Sequence, residues 1–488
     1  MPFGGRCARM AHMDSKPRES LGSRLGFLLL SAGCAIGLGN VWRFPWVVGK
    51  NGGAFFVLLY LAFLALLGLP VLTMEFSMGR ASRKSPLHMY RVLAPERRVW
   101  AWHGPLCFVG NYLLMMFYTI VCGWMVLYFA KYATGGLTGL DPAGVDAAFG
   151  GMLADPVMLC TATALVVVLG FFILSMGLQA GVERITKWMM LALLGMMAVI
   201  AVHNCLLDGA GRGLDFYLRP NLDRFLHAKG GPARVCVEAM NQAFFTLSLG
   251  IGSMAIFGSY IGRERTLLGE SANVAFLDTF VAIVAGLIIF PACSAFLAGA
   301  NASMPDAARL EKVFSGPGLI FVTLPRVFNA MPGGRVWGTL FFVFMTFAAF
   351  STVLAVFENI LAMTMDRTGW ARPKACAVCC ALMYVLSLPC ALGFNLLSGF
   401  QPLGEGTCVL DLEDFLVSNI LLPLGALLFT LFCCHRFGWG WEKFVAEANE
   451  GRGPKIRPWM RFYCAWIVPA IVLVIFLLGL RDKFGPQG

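Results

Sequence analysis

The chain alternates between long apolar stretches and short segments that carry most of its charge. A membrane-spanning helix needs about 20 predominantly apolar residues. On that ruler eleven helices are predicted, near residues 24–49, 54–79, 104–131, 157–176, 184–206, 235–261, 273–300, 335–365, 374–395, 412–435 and 460–480. An odd number of spans puts the termini on opposite sides. The first apolar run is long and lacks a small-residue cleavage site, so it reads as a retained helix rather than a signal peptide.

Two of these helices carry the same defect. The first contains Gly33-Cys34-Ala35-Ile36-Gly37-Leu38-Gly39-Asn40, and the sixth contains Thr246-Leu247-Ser248-Leu249-Gly250-Ile251-Gly252-Ser253. Each interior glycine costs a helix about 1 kcal/mol relative to alanine, so glycines clustered with small polar residues predict a break. Broken backbone at membrane depth is tolerated where it lines a cavity or is buried in protein; the competing explanation is close helix packing through small residues. Defects at positions one and six favour a five-plus-five repeat with a binding site near the membrane midplane. Amide N–H groups freed at such a break attract a carboxylate, and freed carbonyls attract a cation. That chemistry suits a zwitterion together with Na⁺.

Composition agrees with a lipid-embedded chain. Hydrophobic residues make up 58% and charged residues 13% of the 488 positions, with a mean hydropathy of +0.73. A soluble domain is about 45–50% apolar and about 25% charged. The net charge of +11 resides in segments between apolar runs, at Arg80, Arg83, Lys84, Arg91, Arg97 and Arg98 and again at Arg436, Lys443, Arg452, Lys455 and Arg457. This is the positive-inside pattern; it places the N-terminus in the cytoplasm of a cell whose inner (plasma) membrane holds the protein, and it argues against nucleic-acid binding. The 16 cysteines lie largely within apolar runs and read as small buried hydrophobes, the Cys376-x-x-Cys379 pair included. No metal-ligand set, acid–base pair, nucleophile constellation or phosphate loop stands out, so an enzyme is disfavoured. A channel lined by the two broken helices and a transport-dead sensor remain as alternatives to a transporter.

With these features in place the chain resembles the neurotransmitter:sodium symporter family, most closely its bacterial amino-acid branch. The resemblance runs from about Arg18 to Leu480. It is carried by RLGFLLLSAGCAIGLGNVWRFP from Arg24 to Pro45, NGGAFF at 51–56, Glu75-Phe76-Ser77-Met78-Gly79-Arg80, Phe117-Tyr118, Gly123-Trp124, Gln242 followed by FFTLSLGIG from Phe244 to Gly252, and GPGLIFVTLP from Gly316 to Pro325. The resemblance implies an all-α polytopic membrane protein with the leucine-transporter-like fold: an inverted repeat, helices one and six broken, and an eleventh helix. The corresponding organisation is an N-terminal segment 1–23, a first repeat 24–206, an outer loop 207–234, a second repeat 235–435, and a loop with helix eleven at 436–488.

The resemblance further implies Na⁺-coupled symport with two sodium sites. The first would use the Ala35 carbonyl, Asn40, Thr246, Asp278 and the substrate carboxylate. The second would use the carbonyls of Gly33, Ile36 and Ala348 and the hydroxyls of Ser351 and Thr352. Oxygen ligands suit a hard cation, although Ser and Thr in a helix commonly bond the preceding turn instead. The substrate carboxylate would meet the amides of Leu38 and Gly39 and the Tyr118 hydroxyl, and its ammonium would meet carbonyls near Phe245 and Ser248. The pocket would be lined by Leu114, Phe245, Ser248, Ile251, Thr352 and Val356. None of these is an acid or base, so a neutral hydrophobic L-amino acid is expected. Ile251 stands in place of an aromatic residue and Leu114 in place of a smaller one, which leaves the size of that substrate open.

Gates follow from the same resemblance: Arg43 with Asp414 on the outside, and Arg18 with Asp366, near Ser259 and Tyr260, on the inside. Glu75 and Glu358 lie within apolar runs, where an ionisable group is costly, and are expected to satisfy the backbone of the broken helices. Asp278 stands where many members carry Asn, and Ala282 where chloride-dependent members carry Ser, so transport is expected to be chloride-independent. The expected partners are the amino acid and membrane lipid, with the protein a monomer or weak homodimer.

Overall fold

A computed structural model describes residues 21–228, 230–299 and 318–484. Among them no strand forms beyond an isolated bridge between Arg265 and Arg452. The helices follow the predicted order: α1 (Arg24–Ala35 and Gly39–Lys50), α2 (Ala54–Ser82), α3 (Arg98–Thr134), α4 (Pro156–Ser175), α5 (Leu178–Cys205), α6 (Gly231–Thr246 and Ser253–Gly258), α7 (Leu267–Phe296), α8 (Gly334–Thr368), α9 (Arg372–Leu392), α10 (Val409–Cys434) and α11 (Met460–Arg481). Nine described helices are long and apolar enough to cross a membrane, and the two halves of α1 taken together raise that to ten. The remaining predicted span, 235–261, is divided into two short pieces. Exposed apolar side chains such as Val168 and Phe172 on α4, Phe276 on α7 and Val474 on α11 face outward, where hydrocarbon can cover them.

The two breaks fall within the segments that glycine content marks. Ser23 caps the start of α1 by accepting from the Gly26 amide. The helix stops at Ala35, Ile36 adopts an extended conformation, and the second half departs at 52°. In α6 residues 247–252 are not helical, and Ser248, Gly250 and Gly252 all have positive φ. Gly250, at φ 95°, also presses against the backbone of α10: a Cβ there would collide with the Leu422 carbonyl, and one on Gly425 would collide with the Gly250 carbonyl.

Glu75 stabilises this second break. Fully buried on α2, it accepts a hydrogen bond from the Gly250 amide at 2.7 Å. One turn on, Gly79 lets α2 approach the second half of α6, since a Cβ would strike the Ala255 carbonyl. Arg80 is buried as well. Its Nε pairs with Glu447 at 2.7 Å, its Nη1 donates to the Arg265 carbonyl at 2.8 Å, and its Nη2 donates to the Glu447 carbonyl. Glu447 belongs to a short helix, Trp441–Ala448, in the α10–α11 connection. Arg452 extends that attachment by exchanging backbone hydrogen bonds with Glu264 and Thr266.

Glu358 behaves differently from expectation. Its carboxylate takes both arms of Arg372 at 2.9 Å and the Tyr260 hydroxyl at 3.1 Å, so it joins α8 to the start of α9 and the end of α6 through side chains rather than capping broken backbone. The short helix Leu319–Ala330 is anchored to α3, whose Tyr128 and Tyr132 hydroxyls donate to the Phe321 and Pro325 carbonyls.

Candidate ion and substrate site

The breaks in α1 and α6 open their backbone toward α3, α7 and α8, and two oxygen-rich clusters form there. The first centres on Asp278, fully buried on α7. Its carboxylate accepts from Asn40 Nδ2 at 2.8 Å and from Thr246 Oγ1 at 3.0 Å, and its carbonyl accepts from the same Asn40 nitrogen at 2.9 Å. Asn40 Oδ1 is held by the Gly37 amide at 3.3 Å. Ala35, the last residue of the first half of α1, has a helix-terminal carbonyl and lines the adjoining cavity. No lysine or arginine pairs with Asp278 among the described residues. A buried carboxylate without a cation is unfavourable, so this cluster is suited to receive one.

The second cluster joins α1 to α8. Thr352 Oγ1 donates to the Gly33 carbonyl at 3.1 Å and lies 3.3 Å from that of Ile36. Ser351 Oγ lies 2.9 Å from the Ala348 carbonyl and 3.4 Å from that of Ile36. Five oxygens from two helices thus meet in one buried place. The helix-only alternative is incomplete, because both hydroxyls reach across to α1.

Between the clusters lies a narrow cavity of about 20 Å³ lined by Cys34, Ala35, Gly37, Gly39, Leu114, Tyr118, Phe245, Ser248, Thr352 and Leu422. That volume holds about one water, so a larger occupant requires its walls to part. Tyr118 accepts from the Leu38 amide at 2.8 Å, and Ser248 donates to the Cys34 carbonyl at 3.3 Å. Two expected lining residues lie elsewhere. Ile251 is buried against Gly110 of α3 with its carbonyl bonded to Asn111, and Val356 is fully buried one turn beyond Thr352. Cys34 and Leu422 take part instead. Leu422 was legible as a pattern: Asp414, Ser418 and Leu422 share one face of α10 at a spacing of four.

That face also changes the outer contact. Arg43 and Asp414 do not pair directly; Arg43 Nη1 donates to Ser418 Oγ at 3.1 Å, and Ser418 Oγ donates to Asp414 at 2.7 Å. The Arg43 guanidinium lies 4.4 Å from the Phe245 ring centre, over the cavity. The separation arises because a serine one turn after Asp414 occupies the space between the two charges. At the opposite end, Asp366 accepts from the Ser85 amide at 2.8 Å and the Ser259 carbonyl accepts from Arg83 at 3.1 Å. The Tyr260 hydroxyl is directed to Glu358. Arg18 lies outside the described residues.

Comparison with known proteins agrees with this architecture. The sequence profile of the sodium:neurotransmitter symporter family matches residues 18–139 and 148–486. An uncharacterized sodium-dependent transporter, YhdH of Bacillus subtilis, is 32% identical over 461 residues, covering 93% of this chain and 96% of that protein. The sodium- and chloride-dependent taurine transporter of Rattus norvegicus is 25% identical, covering 96% of this chain and 79% of its own. The crystal structure of MhsT in complex with L-phenylalanine superposes with a TM-score of 0.82 at 33% identity, over 95% of this chain and 100% of that one. With eleven helix segments in the expected order, two of them broken, and this sequence match, the chain is a multi-pass sodium-dependent transporter, not an enzyme, and belongs to the sodium:neurotransmitter symporter family.

Proposed function

We propose that the protein carries a neutral hydrophobic L-amino acid together with two Na⁺ ions, by alternating access and without chloride. The observation that carries this reading is the convergence of α1 and α6 backbone with the side chains of Asp278, Ser351 and Thr352 on either side of one uncharged cavity. One Na⁺ would sit among Ala35, Asn40, Thr246 and Asp278. The other would sit among Gly33, Ile36, Ala348, Ser351 and Thr352. The cavity lining has no carboxylate, lysine, arginine or histidine to match a charged substrate side chain, and burying such a charge alone is costly. The amino group and carboxylate would meet the backbone at the two breaks. MhsT, solved with L-phenylalanine, supports an apolar substrate.

Reconstituted protein should accumulate such an amino acid only when Na⁺ is higher outside; equal uptake in K⁺ medium would refute the coupling. A competition screen of the twenty amino acids, with and without Na⁺, then identifies the substrate.

The Arg43–Ser418–Asp414 chain is proposed as the outer gate, and Asp366 with Arg18 as the inner one. A partly exposed ionic contact contributes about 0–1 kcal/mol, weak enough to open in every cycle. Asp414→Ala is therefore expected to slow uptake by up to about fivefold while leaving equilibrium binding less affected. Ser418→Ala should reproduce that loss. A wild-type rate in Ser418→Ala beside an impaired Asp414→Ala would show that the serine is not part of the gate.

A further inference from the structure

A groove outside this site lies on the outer face of α5. It measures about 540 Å³ and is walled by Met176, Ala180, Ile185, Trp188, Met189 and Phe347, with Arg184 among the lining residues between Ala180 and Trp188. Its lining is almost wholly apolar, and Trp188 is 66% exposed. Arg184 is exposed, and Lys187, three residues on along the same helix, is half-buried. Neither forms an ion pair among the described residues, and the neighbouring carboxylate is already engaged: Glu183 accepts from the Gly22 amide at 2.8 Å and the Ser23 hydroxyl at 2.9 Å. An apolar trough on this surface therefore carries one unneutralised cation in its wall, with a second, Lys187, three residues further along the same helix.

We propose that this groove binds one anionic glycerophospholipid from the surrounding leaflet, its phosphate held by Arg184 and Lys187 and one acyl chain lying along Ile185, Trp188, Met189 and Phe347. The argument is charge complementarity joined to shape. A cation in the wall of an apolar trough between spanning helices matches the two parts of such a lipid, and Trp and Arg are suited to the headgroup boundary. A zwitterionic lipid would fill the trough equally well but would bring a choline or ethanolamine cation close to Arg184 and Lys187. The groove also backs directly onto the α1–α8 cluster. Phe347 precedes Ala348, and Ile185 precedes Thr186, whose methyl group lies beside Gly33. The binding itself does not depend on which solute is carried.

Trp188 supplies the readout. In nanodiscs of phosphatidylcholine, brominated phosphatidylglycerol or brominated phosphatidylcholine is titrated in, and quenching is taken as the difference between the wild type and Trp188→Phe, which removes the background of the other tryptophans. Half-maximal quenching should need at least about fivefold less brominated phosphatidylglycerol than phosphatidylcholine, the effect expected from a single cation near the surface. The preference should vanish in Arg184→Gln/Lys187→Gln and persist in Arg184→Lys. Quenching by brominated phosphatidylcholine should be the same in all three, which reports an intact groove. Equal half-points for the two lipids in the wild type, or a preference that survives in Arg184→Gln/Lys187→Gln, would overturn the proposal.

Discussion

A Ser351→Ala/Thr352→Ala protein is expected to lose Na⁺-driven uptake at ordinary Na⁺ concentrations while still folding. The two hydroxyls are two of the five oxygens at the α1–α8 cluster, and both are buried. A polar contact to a charged group contributes about 1.5–3 kcal/mol, so losing two corresponds to a fall of more than about a hundredfold in Na⁺ affinity. A Na⁺ titration of uptake in proteoliposomes measures it, and gel filtration in detergent checks the fold. The exchanged pair Ser351→Thr/Thr352→Ser keeps both oxygens and should keep transport. Unchanged Na⁺ affinity in the double alanine protein would remove the second sodium site from the mechanism.

Asp278→Asn should be nearly as severe. In the proposed mechanism two Na⁺ ions and a zwitterion would bring net positive charge into a low-dielectric site, where a fixed carboxylate would offset it without a mobile anion. Asp278 is fully buried, takes hydrogen bonds only from neutral donors, and is matched by no basic side chain among the described residues. Wild-type uptake should be equal in chloride and gluconate media, and Asp278→Asn should lower it by more than about tenfold in both. Ala282 is buried one turn further along α7. Adding a hydroxyl in Asp278→Asn/Ala282→Ser is expected to restore uptake in chloride alone. Asp278 does not cap the start of α7, since that helix begins at Leu267. A wild-type protein that stops in gluconate would refute the charge-balance argument.

The fold was legible because lipid imposes a simple rule: each span must be long, apolar and internally hydrogen-bonded. Its exceptions were equally plain, since glycines placed beside Asn40 and beside Thr246 and Ser248 marked both breaks. What pattern could not supply was side-chain direction within a break. Positive φ at Ser248, Gly250 and Gly252 turns the chain so that Ile251 packs on Gly110, away from the cavity. Regular periodicity has no purchase on such a segment. The involvement of Ser418 and Leu422 could have been read from their spacing with Asp414, because α10 is continuous there. Glu358 was recognised as a costly buried acid, but its partner Arg372 lies beyond a helix turn at the start of α9, a juxtaposition that only the tertiary structure supplies.

Arg80 gives the far end of the chain a meaning that its position in sequence conceals. The guanidinium has no water to fall back on, and its counter-charge comes from Glu447, beyond the tenth span. Removing one member of a buried pair costs about 3–5 kcal/mol, because the other charge stays behind. A polypeptide ending after α10 would contain both broken helices and every residue proposed for ion and substrate binding, yet would lack the carboxylate and carbonyl of Glu447 that Arg80 bonds to. The last part of the chain is therefore not a detachable appendage to a finished transporter, and the core becomes electrically complete only once the segment carrying Glu447 has been made.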